Sequence, residues 1–227
     1  MQSFDAIYNI AAVRHGGAAA LEQRLPATKT PAELAAIPDH RWLAGMTMRI
    51  FQAGFNWKVV EHKWPGFEDA FEGFIPARWA GVADHELDAL CSDTRIIRNG
   101  KKIFALRANA AFLCEIAAEH GSAGAFFANW PDEDFIGLLE VLGKRASRMG
   151  GKTSQYFLRF MGKDSFVLSA DVVAALMREG VVDKPPSGKR AQAAVQDAFN
   201  QWRGESGRSL AHISQVLACG IDAPPQM

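Results

Sequence analysis

Four consecutive residues, Gly150-Gly151-Lys152-Thr153, and one carboxylate further along, Asp171, are the positions whose types and spacing bear on chemistry. The run GKT closes the phosphate-binding pattern G-x-x-x-x-G-K-[ST]. That pattern requires a glycine where Ala146 stands and a strand before the loop, whereas EVLGKRASR has helical spacing. A phosphate loop of that kind is therefore excluded. What remains is a helix–hairpin–helix: one helix to about Arg148, a bend through Met149-Gly150-Gly151, and a second helix from Lys152. Glycines admit positive φ and let another molecule come close to the backbone. The free N–H groups in the first turn of the second helix attract phosphate. Gly150, Gly151, Lys152, Thr153 and Arg148 are thus the expected contacts to a nucleic-acid backbone.

Charge is distributed in the same sense. Residues 144–163 carry six basic side chains and no acidic one, in a chain whose formal net charge is zero. Residues 94–109 carry five basic side chains and again no acid. Two such patches in a neutral protein point to a groove that tracks a polyanion without reading its sequence. Taken singly, each patch is also accounted for by a solvated basic face, and the glycines by an ordinary helix cap. Asp171 has a plain account as well. With Ser169 as N-cap it opens a helix, where the dipole favours an ionised carboxylate by about 0.3–1 kcal/mol.

The elements that must position these residues are helical. Apolar steps of three and four predict helices over 43–60, where Met46, Ile50, Ala53 and Trp57 share a face, and over 101–119, 134–148, 190–202 and 209–219. No alternating run is long enough for a strand, so the expected fold class is all-α. Breaks are expected at Pro26, Pro31, Pro65-Gly66, Pro76, Pro131 and the loop VDKPPSGK, and the closing APPQM reads as frayed.

A chain of 227 residues, 48% hydrophobic and 22% charged, has the composition of a soluble globular protein. Cys91, Cys114 and Cys219 lie far apart and form no C-x-x-C pair, which fits a reducing cytoplasm. No apolar run approaches the roughly 18 residues of a membrane span. The N-terminus lacks the basic start and apolar stretch of a secretory signal. The expected setting is cytoplasmic, with no membrane partner.

The order of elements is distinctive: amphipathic helix, glycine hairpin, Lys-Thr, apolar helix, short loop, then an aspartate opening the next helix. It resembles the helix–hairpin–helix superfamily of DNA base-excision glycosylases. Residues 44–112, through FQAGFNWKVV and DTRIIRNGKKIFALRANAAF, look like the type I 3-methyladenine DNA glycosylases, and the combined likeness covers about 44–217. It implies a two-lobed helical fold with a cleft between a lobe of residues 45–163, ending in the hairpin, and a lobe of residues 1–44 plus 164–227. The implied function is a monomeric DNA N-glycosylase acting on double-stranded DNA that contains a damaged base, without a cofactor. On the superfamily resemblance the hairpin holds a DNA phosphate and Asp171 serves catalysis, whereas the type I enzymes lack that aspartate. The Q-A-G-hydrophobic-x-W helix brings Trp57, Gln52, Arg49 and Phe51 to the pocket of the extruded base.

Departures from the family pattern bear on what the enzyme does. Type I enzymes hold a zinc ion with an N-terminal Cys-Gly-Trp and a C-terminal His/Cys pair. Here only His212 and Cys219 lie near the C-terminus, so no metal is expected. Arg49 stands where that family has an acidic residue reading the methylated base. A guanidinium repels the cationic 3-methylated adenine, which leaves two readings open: another damaged or mismatched base, such as one with an exposed carbonyl, or an Arg49 that turns outward and pairs with an acid. Lys152 takes the position of the Schiff-base lysine in bifunctional glycosylases. Two alternatives therefore stand beside simple hydrolysis: a glycosylase that also cuts the strand as an AP lyase, and a noncatalytic DNA-binding protein that keeps the hairpin.

Overall fold

A computed structural model describes residues 1–221, and the closing APPQM lies outside them. The described residues form fifteen α-helices and two short 3-10 turns, with no strand. They divide into two compact units, Met1–Thr28 with Pro131–Gly137 and the described residues from Asp164 onward, and Lys29–Trp130 with Leu138–Lys163.

The first unit contains α1 (Phe4–Arg14), α2 (Ala18–Glu22), α13 (Ala170–Arg178), α14 (Lys189–Ser206) and α15 (Leu210–Cys219). The N-terminal residues, which the family resemblance leaves without a role, are built into its core. Phe4 and Ile7 are buried, and α1 packs on α14 and α15. The Phe4 N–H donates to Glu205 at 2.9 Å, and the Trp202 indole donates to the Gln2 carbonyl at 3.1 Å. Phe166 stacks on Phe199 with centroids 4.2 Å apart. The Asp164 carboxylate accepts from the N–H groups of Leu210 and Ala211, closing the open start of α15.

The second unit contains α3 (Pro31–Ala35), α4 (Asp39–Gln52), α5 (Trp57–Ala70), α6 (Pro76–Ala80), α7 (Asp84–Leu90), α8 (Gly100–Ile103), α9 (Ala105–His120), α10 (Ala123–Asn129) and α12 (Lys152–Met161). A further helix, α11 (Phe135–Arg145), leads into the turn before α12. Trp42 of α4 stacks on Phe127 with centroids 4.4 Å apart, and Phe157 of α12 meets both rings edge-on. A side-chain carbon on Gly45 would displace the Met161 sulfur and crowd Phe157 where α4 packs on α12.

Two expectations from spacing alone are corrected. The helix over 43–60 is in fact two helices, because Gly54 adopts φ +69° and the Asn56 side chain caps α5 by accepting the Lys58 N–H at 3.0 Å. Conversely, α5 runs straight through Pro65-Gly66. Gly66 works there as a contact: a side-chain carbon on it would collide with the Arg95 carbonyl.

Candidate functional site

The site lies within the second unit, where the end of α4, the turn 53–56, the start of α5 and the start of α12 meet. A cavity of about 260 Å³ is lined by Arg49, Gln52, Ala53, Gly54, Trp57, Lys152, Thr153 and Tyr156. A second one, about 330 Å³, is lined by Ile50, Ala53, Lys102, Arg148, Gly150 and Thr153. The two share Ala53 and Thr153. Aromatic rings thus border one space, and basic groups with the glycine turn border its neighbour.

The turn between α11 and α12 is held from below. The chain leaves α11 at Arg145, three residues earlier than the spacing predicts, and Met149 is fully buried. Asn109 of α9, also fully buried, grips the turn by its amide: the Ser147 N–H donates to Oδ1 at 2.7 Å, and Nδ2 donates to the Ser147 carbonyl at 3.2 Å. Arg148 adopts φ +60°, a conformation that costs free energy for a residue with a side chain. Gly151 follows at φ +59° and ψ −133°, a region essentially reserved for glycine. A side-chain carbon on Gly150 or Gly151 would meet no described atom within 4 Å, so this backbone is open to an approaching molecule. Lys152 and Thr153 begin α12, whose first N–H groups are the positive end of the helix.

Lys102 sits across from the turn. Its ammonium donates to the carbonyls of Phe51 at 3.1 Å and Ala53 at 2.8 Å, capping the negative end of α4. Burial and then the nearby Arg148 charge push the Lys102 ammonium below the ordinary lysine range.

The aromatic cavity has an unusual wall. Arg49 is 9% exposed, with its guanidinium carbon 3.8 Å from the Phe160 ring centroid and 5.4 Å from that of Trp57. Burial pulls Arg49 down to about 10, against the opposing charge of Glu61, so the group remains a cation at neutral pH. Gln52, 1% exposed, donates from Nε2 to Glu61 at 3.2 Å. Arg49 Nη1 and Gln52 Oε1 are buried without a hydrogen-bond partner. Trp57 is 37% exposed and meets Tyr156 edge-on at 5.4 Å and Phe160 at 5.9 Å.

The structure gathers Arg49, Gln52, Trp57, Lys152 and Thr153 around one cavity, with Arg148 and Gly150 on the adjoining one. Phe51 lies elsewhere, buried edge-on against Phe67 at 4.8 Å, because it occupies the core face at the end of α4. Asp171 belongs to the first unit, exposed in the first turn of α13, with Ser169 accepting the Val172 N–H at 3.2 Å as the cap. Sequence reasoning misses Asn109, Lys102 and Tyr156. A polar residue on the buried face of the helix over 101–119 marks Asn109, and the step of four from Lys152 marks Tyr156.

Residues 35–168 match the methyladenine glycosylase family. The chain belongs to that family. Membership makes it a DNA glycosylase of base-excision repair, an enzyme class that hydrolyses N-glycosidic bonds. Structures of 3-methyladenine DNA glycosylase I share its helical fold. One from Staphylococcus aureus, described for its recognition of 3-methyladenine, aligns at TM-score 0.51 and 19% identity over 63% of this chain and 82% of that one. A point mutant of the Staphylococcus aureus protein gives 0.51 and 17%, over 63% and 83%. A point variant in complex with 3-methyladenine gives 0.52 and 18%, over 68% and 91%. No curated protein matches by sequence.

The methyladenine glycosylase match contains the cavity, the turn and α12, and ends three residues before Asp171. The residues present do not fit a zinc site: His212 Nε2 is paired with the Pro26 carbonyl at 3.1 Å, and no group of three or more potential ligands is found among the described residues. No described helix is long and apolar enough to cross a membrane.

Proposed function

We propose that this methyladenine glycosylase family member accepts a damaged base, turned out of double-stranded DNA, in the cavity between Trp57, Tyr156, Arg49 and Gln52, and hydrolyses its bond to deoxyribose. The observation that carries the proposal is the adjacency of the two cavities. A base pocket needs aromatic walls and a few polar groups, and a glycosylase needs a phosphate grip one nucleotide away. Here Ala53 and Thr153 belong to both. The Gly150-Gly151 turn, the α12 N-terminus, Lys152 and Arg148 hold the sugar–phosphate strand, an interaction weakened by salt. Turning the nucleotide out costs a few kcal/mol, least for a damaged pair.

As the C1′–N bond stretches, positive charge builds on the sugar. A fixed carboxylate beside it stabilises that charge and orients the attacking water. We assign this role to Asp171, the aspartate that the resemblance to helix–hairpin–helix glycosylases singles out after the glycine hairpin. The acting species in this proposal is a monomer in a reducing cytoplasm, in keeping with the free thiols of Cys91, Cys114 and Cys219.

Truncating Trp57 to alanine tests the pocket. Base stacking on an aromatic side chain contributes about 1–3 kcal/mol. Single-turnover release by Trp57→Ala is therefore expected to fall about tenfold or more, while affinity for undamaged duplex stays near that of the parent. An unchanged release rate removes Trp57 from the pocket.

A second reading is favoured by one observation: Lys152 lines the same cavity. Attack by its neutral amine on C1′ expels the base, opening of the sugar ring gives a Schiff base, and elimination of the 3′ phosphate then nicks the strand. Borohydride is then expected to trap a covalent protein–DNA adduct that Lys152→Ala does not form. Without an adduct, the product is an abasic site and Lys152 is a phosphate contact.

A further inference from the structure

We infer that the cavity selects a neutral base carrying a ring carbonyl beside a ring N–H, and that Arg49 both reads that carbonyl and stabilises the base as it leaves. The inference rests on the base-excision proposal above and names its substrate class.

Two polar atoms define the recognition. Arg49 and Gln52 line the cavity, and Arg49 Nη1 and Gln52 Oε1 are buried with no partner among the described residues, a state that is unfavourable until something bonds them. The orientation of the Gln52 amide is fixed. Its Nε2 donates to Glu61 at 3.2 Å, and a carboxylate only accepts, so the carbonyl Oε1 must face the other way. The other guanidinium end of Arg49 reaches only the Met48 sulfur at 3.1 Å, a weak acceptor. The wall therefore offers one charged donor and one neutral acceptor. A lactam edge, C=O next to N–H, answers both at once, as in hypoxanthine or uracil.

Charge decides against the opposite class. An N-alkylated base that is already cationic brings positive charge against a guanidinium that burial has left poorly solvated, and like charges repel strongly in such a setting. Leaving-group chemistry points the same way. When a neutral base departs, the C1′–N bond breaks and its electron pair goes to the ring nitrogen. The resulting negative charge spreads onto the ring carbonyl, where Arg49 donates a hydrogen bond that is stronger in the transition state than before it. Water oxygen bonds to C1′, and the proton it loses ends on the base nitrogen. A cationic base leaves as a neutral molecule and gains nothing from such a donor.

The test is single-turnover release, with protein in excess, from duplexes containing hypoxanthine, uracil or the cationic 7-methylguanine. Each rate is divided by the uncatalysed rate of the same duplex. 7-Methylguanine keeps the same C=O and N–H edge and differs in its charge, so the wild-type chain is expected to accelerate release of at least one neutral lactam base more than that of 7-methylguanine. Arg49→Gln keeps a donor and removes the charge. It is expected to lower release of the neutral lactams about a hundredfold and that of 7-methylguanine far less, while Arg49→Glu shifts preference further toward the cation. Thermal unfolding verifies that both variants fold, and the wild-type preference stands without either. Wild-type acceleration greatest for 7-methylguanine, or equal losses for both classes in Arg49→Gln, overturns the inference and leaves the glycosylase proposal intact. Release of no base from any duplex overturns the proposal itself, and the inference with it.

Discussion

Asp171→Asn is expected to bind damaged duplex as tightly as the parent and to release base about a hundred- to a thousandfold more slowly. The exchange is nearly isosteric, and asparagine is tolerated at the start of a helix. Losing the charge from the first turn of α13 therefore costs the fold only about 0.3–1 kcal/mol. The Ser169 cap, which holds the Val172 N–H, stays in place. A change so mild for the fold and so severe for the rate separates a charge facing the sugar from one that merely stabilises its helix. Single-turnover release and a binding isotherm on the same duplex read the two effects apart. Release at the parental rate returns Asp171 to the role of a helix-stabilising acid, and the carboxylate must then be sought elsewhere.

The glycine pair provides the second large effect, and its two members should behave differently. Gly151 occupies φ +59°, so alanine there strains the backbone and is expected to lower stability by about 1–3 kcal/mol. Gly150 has no positive φ, and a side-chain carbon on it would meet nothing described within 4 Å, so alanine is expected to leave stability within about 0.5 kcal/mol. If a DNA backbone lies against the turn, that same added carbon intrudes on it. Gly150→Ala should therefore weaken DNA binding about tenfold or more at unchanged melting temperature, by the same logic that reserves close backbone approach for glycine. Unchanged affinity in Gly150→Ala places the strand away from the turn.

Much of the site can be read in the sequence because it is local. The glycine pair, the basic residues around it and the Ser169 cap all act over a turn or two of chain. What spacing cannot supply is which atoms meet across helices. The Asn109 clamp joins residues 38 positions apart, and Lys102 reaches back 51 positions to the Phe51 carbonyl. The sequence signal of Asn109 is only a polar residue on an otherwise apolar face, and Lys102 stands out no more than the other basic residues of 94–109. The division of 43–60 into α4 and α5 was within reach, since Gly54 and Asn56 form a stop followed by a cap. The apolar period that links Met46 to Trp57 outweighs that pair in a pattern count. Arg49 is the instructive case. Its identity raises the question of lesion charge from sequence alone, but only its burial, its stacking on Phe160 and its partnerless Nη1 turn the question into a stated chemistry.

The most direct measurement is a screen of free-base release by the intact chain, in excess over duplexes that each carry a single alkylated, oxidised or deaminated base. With the cavity of Arg49, Gln52, Trp57 and Tyr156 as the receiving pocket, at least one damaged base is set free and an abasic site or a nick appears in its place. Undamaged duplex stays whole. Salt-sensitive binding of every duplex with no base released from any of them contradicts the account.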